Sequence, residues 1–300
     1  MRVAAAFFIL LLIAGVFIWG VTVFMTTQTQ RKEQVMNEET EAIAVPEVNG
    51  VNNLTITVVY DNNPYKEGLA PPLRGAGLET AWGFACLITG AEKTILFDTG
   101  GDGAILLNNM GKLAIEPNSM ELVVLSHIHG DHTGGLGGFL ERNPGVTIYL
   151  PKSFPERFKD DVQSGGPKIV EVEQPLKICE NVYSTGQSGL LIKEQSLIVR
   201  TNKGLVVITG CAHPGIVKIA SKAKELLKDD ILLVMGGFHL EWATKGKLEK
   251  IISAFEELGV RYAGPCHCSG ERARSLFEEH FGKNYINIGA GKVITLADLE

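Results

Sequence analysis

Cysteine is scarce, with five in 300 residues, and the number is odd. A small disulfide-stapled scaffold is therefore excluded. Cationic charge is also thin: 28 Lys and Arg stand against 34 Asp and Glu, a formal net charge of −6. A phosphate-binding surface normally shows as clustered Lys and Arg, so nothing marks a nucleic-acid partner. No low-complexity tract or short-period repeat occurs. What remains is 45% hydrophobic and 21% charged, a composition that folds around one sizeable core. Histidine is also few, at seven, but the seven are not scattered.

Charge is missing altogether between Arg2 and Arg31. Residues 3–25, VAAAFFILLLIAGVFIWGVTVFM, make a helix of roughly 35 Å, enough to cross a hydrocarbon core of about 30 Å. This predicts a single N-terminal transmembrane anchor over residues 1–25. The alternative, a cleaved signal peptide, fits less well because the run exceeds the usual apolar region and no A-x-A site follows it. Orientation is nearly a tie between Arg2 on one side and Arg31 with Lys32 on the other, so the side of the membrane stays open. Residues 26–53 are polar, acidic and poor in aromatics, as a linker is, and the folded domain is expected over 54–300.

From Leu54 short β-branched runs alternate with helical patterns. Strands are predicted at 54–60, 84–89, 94–98, 121–126, 146–150, 196–201, 205–209 and 231–235. Helices are predicted at 216–227, 248–258 and 273–281, each with one apolar face. Together they imply a layered α/β domain. Four times an apolar strand runs into a turn rich in Gly, Cys or Pro that carries histidine: SHIHGDHTGG, TGCAHPG, GGFHLE and GPCHCSG. Loops beyond strand ends are where α/β proteins place ligand sites. His127, His129, His132, His213, His239 and His267 all sit in these turns, whereas His280 lies beside Phe277 and Phe281 on a helix and reads as structural.

The run from His127 to His132 packs three imidazoles and one carboxylate into six residues. The i, i+2 pair His127 and His129 can grip one metal from an extended backbone. Gly130 permits the turn that sends Asp131 and His132 toward a neighbouring position. Two adjacent cations are the natural outcome, with zinc suited to nitrogen-rich ligation and iron or manganese as alternatives.

H-x-H-x-D-H after an apolar strand, together with Phe97-Asp98-Thr99-Gly100 and later single histidines, resembles the metallo-β-lactamase-fold superfamily across 54–296. The phrases TAWGFACLI, ILFDTGG, LSHIHGDHTGGL, TGCAHPGI, GGFHL and PCHCSGERA are similar to the subgroup typified by an archaeal dihydropterin–aminobenzene phosphate synthase. The resemblance implies an αββα sandwich with its site at one edge between the sheets. It places His127, His129 and His213 on metal 1, and Asp131, His132 and His267 on metal 2, with Asp98 supporting a ligand by hydrogen bonding. Asp131 and His239 are the expected catalytic groups.

One departure stands out. Many members bridge both metals with an Asp, yet the corresponding turn here reads Met235-Gly236-Gly237-Phe238-His239, without a carboxylate. His239 either replaces the bridge as a terminal ligand or faces the substrate to donate a proton or bind phosphate; the second role is favoured. Full occupancy of metal 2 is left open. Cys266 and Cys268 flank His267, and extended alternation would turn both thiols away from it. With Cys211 they read as packing groups or weak supports for the ligands, in preference to metal ligands. Gly134, Gly135, Gly137 and Gly138 read as close-packing positions beneath the metals. In the irregular segment 62–77, Tyr65, Lys66 and Arg74 are candidate substrate contacts, with a solvated loop the simpler reading.

The expectation is a membrane-anchored, dinuclear zinc hydrolase that uses a metal-bound water on an ester or phosphoester of a small molecule. Two alternatives are a transferase similar to the synthase and a metal-dependent binding protein without turnover.

Overall fold

The computed structural model describes residues 50–65 and 77–300. The apolar run at 3–25, the linker through residue 49, Lys66 and Arg74 lie outside the described residues. Among the described residues no helix is long and apolar enough to cross a membrane.

Two sheets form the centre. The first has seven strands: β1 (Thr55–Asp61), β2 (Phe84–Thr89), β3 (Ile95–Phe97), β4 (Leu122–Val124), β5 (Thr147–Pro151), β6 (Lys168–Val172) and β13 (Val293–Thr295), in the order 13-1-2-3-4-5-6. The second has six: β7 (Leu176–Cys179), β8 (Val182–Ser184), β9 (Leu197–Thr201), β10 (Gly204–Thr209), β11 (Ile231–Gly237) and β12 (Tyr262–Cys266), in the order 12-11-10-9-8-7. Each sheet has a parallel part, β3 to β6 in one and β10 to β12 in the other, joined to antiparallel strands. This is the expected αββα sandwich.

The period-2 alternation of the strands produces the layers. Ile95, Phe97, Leu122 and Val124 point between the sheets and meet Val199, Val206, Ile208 and Met235. Leu96, Val123 and Leu125 point the other way, against Leu106, Met110 and Phe139. Those last three belong to α1 (Gly103–Lys112) and α3 (Leu136–Leu140). The short α2 (Gly130–Thr133) precedes α3, and α4 (Glu156–Ser164) follows β5. On the outer side of the second sheet lie α5 (Ile216–Leu227), α6 (Lys245–Leu258) and α7 (Glu271–Phe281). Phe238, Phe255, Phe277 and Phe281 pack there edge-on or stacked, with centroids 5.6–6.5 Å apart.

The predicted strands all form, and α5 spans the predicted residues. Helix α6 begins three residues earlier than periodicity suggested, because Thr244 caps it by accepting from the Lys247 amide. Folded structure also begins earlier than Leu54. Gly50 and Val51 are buried, and Val51 exchanges backbone hydrogen bonds with Arg200 and Asn202. His280 is exposed on α7 and bonds to Glu256 at 2.8 Å; it ties α7 to α6 rather than filling a core.

Candidate metal centre

The histidine turns follow β4, β10, β11 and β12, and the Asp-Thr-Gly turn follows β3. Their backbones are unusual. Asp98, Ala212, His239 and His267 have φ between 48° and 56°, a left-handed conformation that non-glycine residues seldom adopt. Such kinks persist when surrounding structure enforces them, and they cluster at functional sites. Each redirects the chain at a strand end so that side chains turn toward a common edge.

His127, His129 and His213 bring one nitrogen each within 4.8 Å of one another. His127 Nε2 faces His129 Nδ1 at 3.1 Å. Ser126 sets the His127 tautomer: its hydroxyl proton goes to Asp98 Oδ2 at 2.7 Å, so its oxygen accepts from His127 Nδ1–H at 2.9 Å. The inward Nε2 is left as a bare lone pair. Burial, reinforced by the neighbouring imidazoles, holds His127 far below the usual histidine range. Burial and then His239 push His213 down to about 4. Nε2 of His213 is buried without a hydrogen-bond partner. Unprotonated nitrogens turned toward one another, one of them orphaned, are what a divalent cation satisfies.

A second group joins Asp131, His132 and His267 with a fourth donor, the thiol of Cys211. His132 Nε2 lies 3.2 Å from His267 Nε2, 3.6 Å from Asp131 Oδ2 and 3.2 Å from Cys211 Sγ. Asp98 stands behind, taking Nδ1–H of His132 at 2.7 Å and the Ser126 amide at 2.6 Å. Burial alone would lower the His132 pKa, but the charge and hydrogen bond of Asp98 raise it. For Asp131, burial is outweighed by the His267 hydrogen bond and by His132, and its carboxyl is held below the usual range.

The cysteine reading needs correction. Extended alternation stops at His267, whose left-handed backbone begins a turn over His267–Ser269. Cys266 stays buried in the core between the sheets. Cys268 swings to 3.3 Å from Cys211 Sγ and joins Cys211 and His239 in a third group of donors. All five cysteines are free. The hydrogen bond between the Cys211 and Cys268 thiols lowers the pKa of Cys268, with help from His239, and raises that of Cys211. His239 itself is exposed, with its ring 4.6 Å from that of His213. It opens onto a cleft of about 480 Å³ whose walls include Trp82, Trp242, Thr244, Lys247 and Cys268. Trp82 packs its ring 5.0 Å from His267.

Three supporting residues escaped the sequence reading. Glu194, fully buried, accepts from the amides of Cys211, Ala212 and His213 at 2.8–2.9 Å and from the Thr209 hydroxyl at 3.0 Å. It pins the whole turn that carries His213. Asn62 Oδ1 takes Nδ1–H of His267 at 3.0 Å, which leaves Nε2 free to face inward. Asp61 accepts from the His267 amide at 3.2 Å. An isolated Glu in a weakly patterned segment and an Asn after the first strand carry no local signal for these roles. Tyr65 packs under Lys292, whose Nζ is 4.7 Å from the ring centroid, and is not among the residues of the metal groups. The glycine reading holds in three of four cases: a Cβ on Gly134, Gly135 or Gly138 would meet backbone at 2.3, 2.0 or 3.2 Å, whereas Gly137 faces open space.

A sandwich with imidazole, carboxylate and thiol donors gathered at strand ends defines a metal-dependent class of protein. The family model for the metallo-β-lactamase superfamily matches residues 83–235, and the chain belongs to that superfamily. Over 250 residues it is 30% identical to the 7,8-dihydropterin-6-methyl-4-(β-D-ribofuranosyl)-aminobenzene-5′-phosphate synthase of Methanocaldococcus jannaschii, covering 68% of this chain and 85% of that protein. The solved structure of Tm1679, described as a metal-dependent hydrolase of the β-lactamase superfamily, superposes with a TM-score of 0.65 at 32% identity over 80% of this chain and 98% of its own. YhfI from Bacillus subtilis shares the fold at 16% identity, with a TM-score of 0.58 over 81% of this chain and 99% of its own.

Proposed function

We propose that the chain is a dinuclear metallo-hydrolase acting on an ester or phosphoester of a small molecule. The carrying observation is that two donor groups, His127/His129/His213 and Asp131/His132/Cys211/His267, lie side by side next to an open cleft. Divalent cations held by these groups, zinc by the chemistry of the donors, would supply Lewis-acid polarisation and activation of water there. The chain itself supplies orientation: Asp98, Ser126 and Asn62 fix the imidazole tautomers, and Glu194 fixes the His213 turn. His239, its pKa raised by the Cys268 hydrogen bond, is placed to give a proton to a leaving group or to hold a phosphoryl oxygen. Lys247 on the cleft wall adds positive charge for an anionic substrate. The likeness to a protein described as a metal-dependent hydrolase supports this reading.

A second reading, transfer between a pterin diphosphate and a phosphorylated aminobenzene, rests on the likeness to the synthase and on Trp82 and Trp242. Their side chains line the cleft and are 50% and 92% exposed, surfaces suited to stacking a planar ring. Purified full-length chain should contain transition metal and hydrolyse members of an ester and phosphodiester panel, with His129→Ala reduced at least a hundredfold. Coupled product from the two aromatic substrates, without hydrolysis of the panel, would favour the second reading. Metal and ligand bound with no turnover of either kind would overturn both. We also assign residues 3–25 to a membrane anchor; recovery of the full chain in the soluble fraction, with its N-terminus intact, would overturn that.

A further inference from the structure

We propose that Cys211, His239 and Cys268 form a separate seat for a thiophilic divalent cation, adjoining the dinuclear pair and sharing the Cys211 sulfur with it. Two sulfurs and one imidazole nitrogen lie within 4.8 Å of one another. The sulfurs are 3.3 Å apart. In a tetrahedral zinc site with Zn–S near 2.3 Å, sulfurs sit roughly 3.8 Å apart, so the pair needs to open by only about half an ångström. Both cysteines are at most 5% exposed, and buried soft donors select zinc or cadmium over magnesium or calcium.

The backbone holds these donors as deliberately as it holds the histidines. Cys211 is on the turn pinned by Glu194. His239 and the residue before Cys268 both have positive φ. Gly237 lets the two turns meet: a Cβ there would lie 2.8 Å from Cys268 Sγ and 2.3 Å from the Gly210 carbonyl. Cys268 and His239 both reach the cleft wall. A cation held by three protein donors would keep its fourth position open, and two of the three donors line the cleft.

Cys211 also lies in the Asp131/His132/His267 group. Its thiolate would therefore be within reach of a cation in either group. Binding releases the thiol protons to solvent as the metal–sulfur bonds form, and no oxidant is involved.

The test uses the full chain, stripped of metal, reduced with a phosphine and titrated with Co²⁺. Expected are three equivalents bound and a thiolate-to-cobalt charge-transfer absorption in the near ultraviolet. Cys268→Ser should bind two equivalents, and His239→Ala should weaken the third at least tenfold. His129→Ala should lose one equivalent from the neighbouring group yet keep the band. Near-ultraviolet circular dichroism shows whether each variant is folded, and exposed His239→Ala serves if Cys268→Ser is not. The proposal is overturned if reduced wild type binds only two equivalents, if the band and the third equivalent survive Cys268→Ser, or if the two thiols close to a disulfide that returns no metal uptake on reduction. With this seat filled His239 would be a ligand in place of the proton donor proposed above; none of these readouts involves turnover, so the seat can fail while the hydrolase reading stands.

Discussion

The Asp98 carboxylate meets Nδ1 of His132 at 2.7 Å with both side chains fully buried. One oxygen of Asp98 also takes the Ser126 hydroxyl, and Ser126 in turn fixes His127. A single acid thus sets the tautomer of one imidazole in each donor group. Asp98→Asn should keep the fold and weaken metal binding by roughly ten- to a hundredfold, the range seen when residues behind a metal ligand are changed. Competition with a chromophoric chelator measures it, and the equivalents held by the His127 group and by the His132 group should both weaken.

Glu194 is the acceptor for three consecutive amides. Glu194→Ala leaves those donors buried without partners, at about 1–3 kcal/mol for each one not rescued by water. Urea denaturation of metal-free protein should show the loss, and Glu194→Gln, which retains one oxygen, should lose less. A fully stable Glu194→Ala protein would remove the pinning role.

Acid should destabilise the metal-free protein. His127 and His213 have folded pKa values below those of unfolded histidine, so the unfolded chain takes up protons first as pH falls. Their contribution is present above about pH 6.5 and drains away below it, for His213 until about pH 4. His132 has the opposite sign, since its pKa is raised and its contribution is lost as pH rises. Comparing wild type with His213→Gln isolates one component: the wild-type melting temperature should fall more between pH 7 and pH 5 than that of the variant.

Two glycine substitutions should diverge. Gly210→Ala would put a methyl 2.1 Å from Ser126 Oγ and 3.0 Å from Asp98 Oδ2, in the middle of the network behind both donor groups. It should unfold readily and bind metal poorly. Gly137→Ala meets nothing within 4 Å and lies inside α3, where Ala is favoured by up to about 1 kcal/mol. Thermal melting separates them.

Trp242 is 92% exposed on the cleft wall. Trp242→Ala should leave stability within about 0.5 kcal/mol of wild type while raising KM for the substrate found by the panel more than it lowers kcat. A kcat loss without a KM change would argue against a stacking surface.

The strands and the histidine turns were legible because both are local signals. β-Branched runs such as 205–209 and the run from His127 to His132 are written in consecutive residues. The short strands β7 and β8, and the partners Glu194 and Asn62, are defined by register across the chain; Asn62 and His267 are 205 residues apart. Cys268 was misread for a local reason of another kind. Alternation assumes an extended backbone, and His267 at φ 48° breaks that assumption at the residue between the two thiols. The group behind the His213 turn thus needed the folded chain to be seen.

The left-handed residues that end β3, β10, β11 and β12 have one further meaning. Backbone kinks and buried hydrogen bonds aim the donors, whatever the donors themselves are. Donor identity and donor aim are then separate determinants of which cation is preferred, the first set by the side chains and the second by the backbone at these four turns.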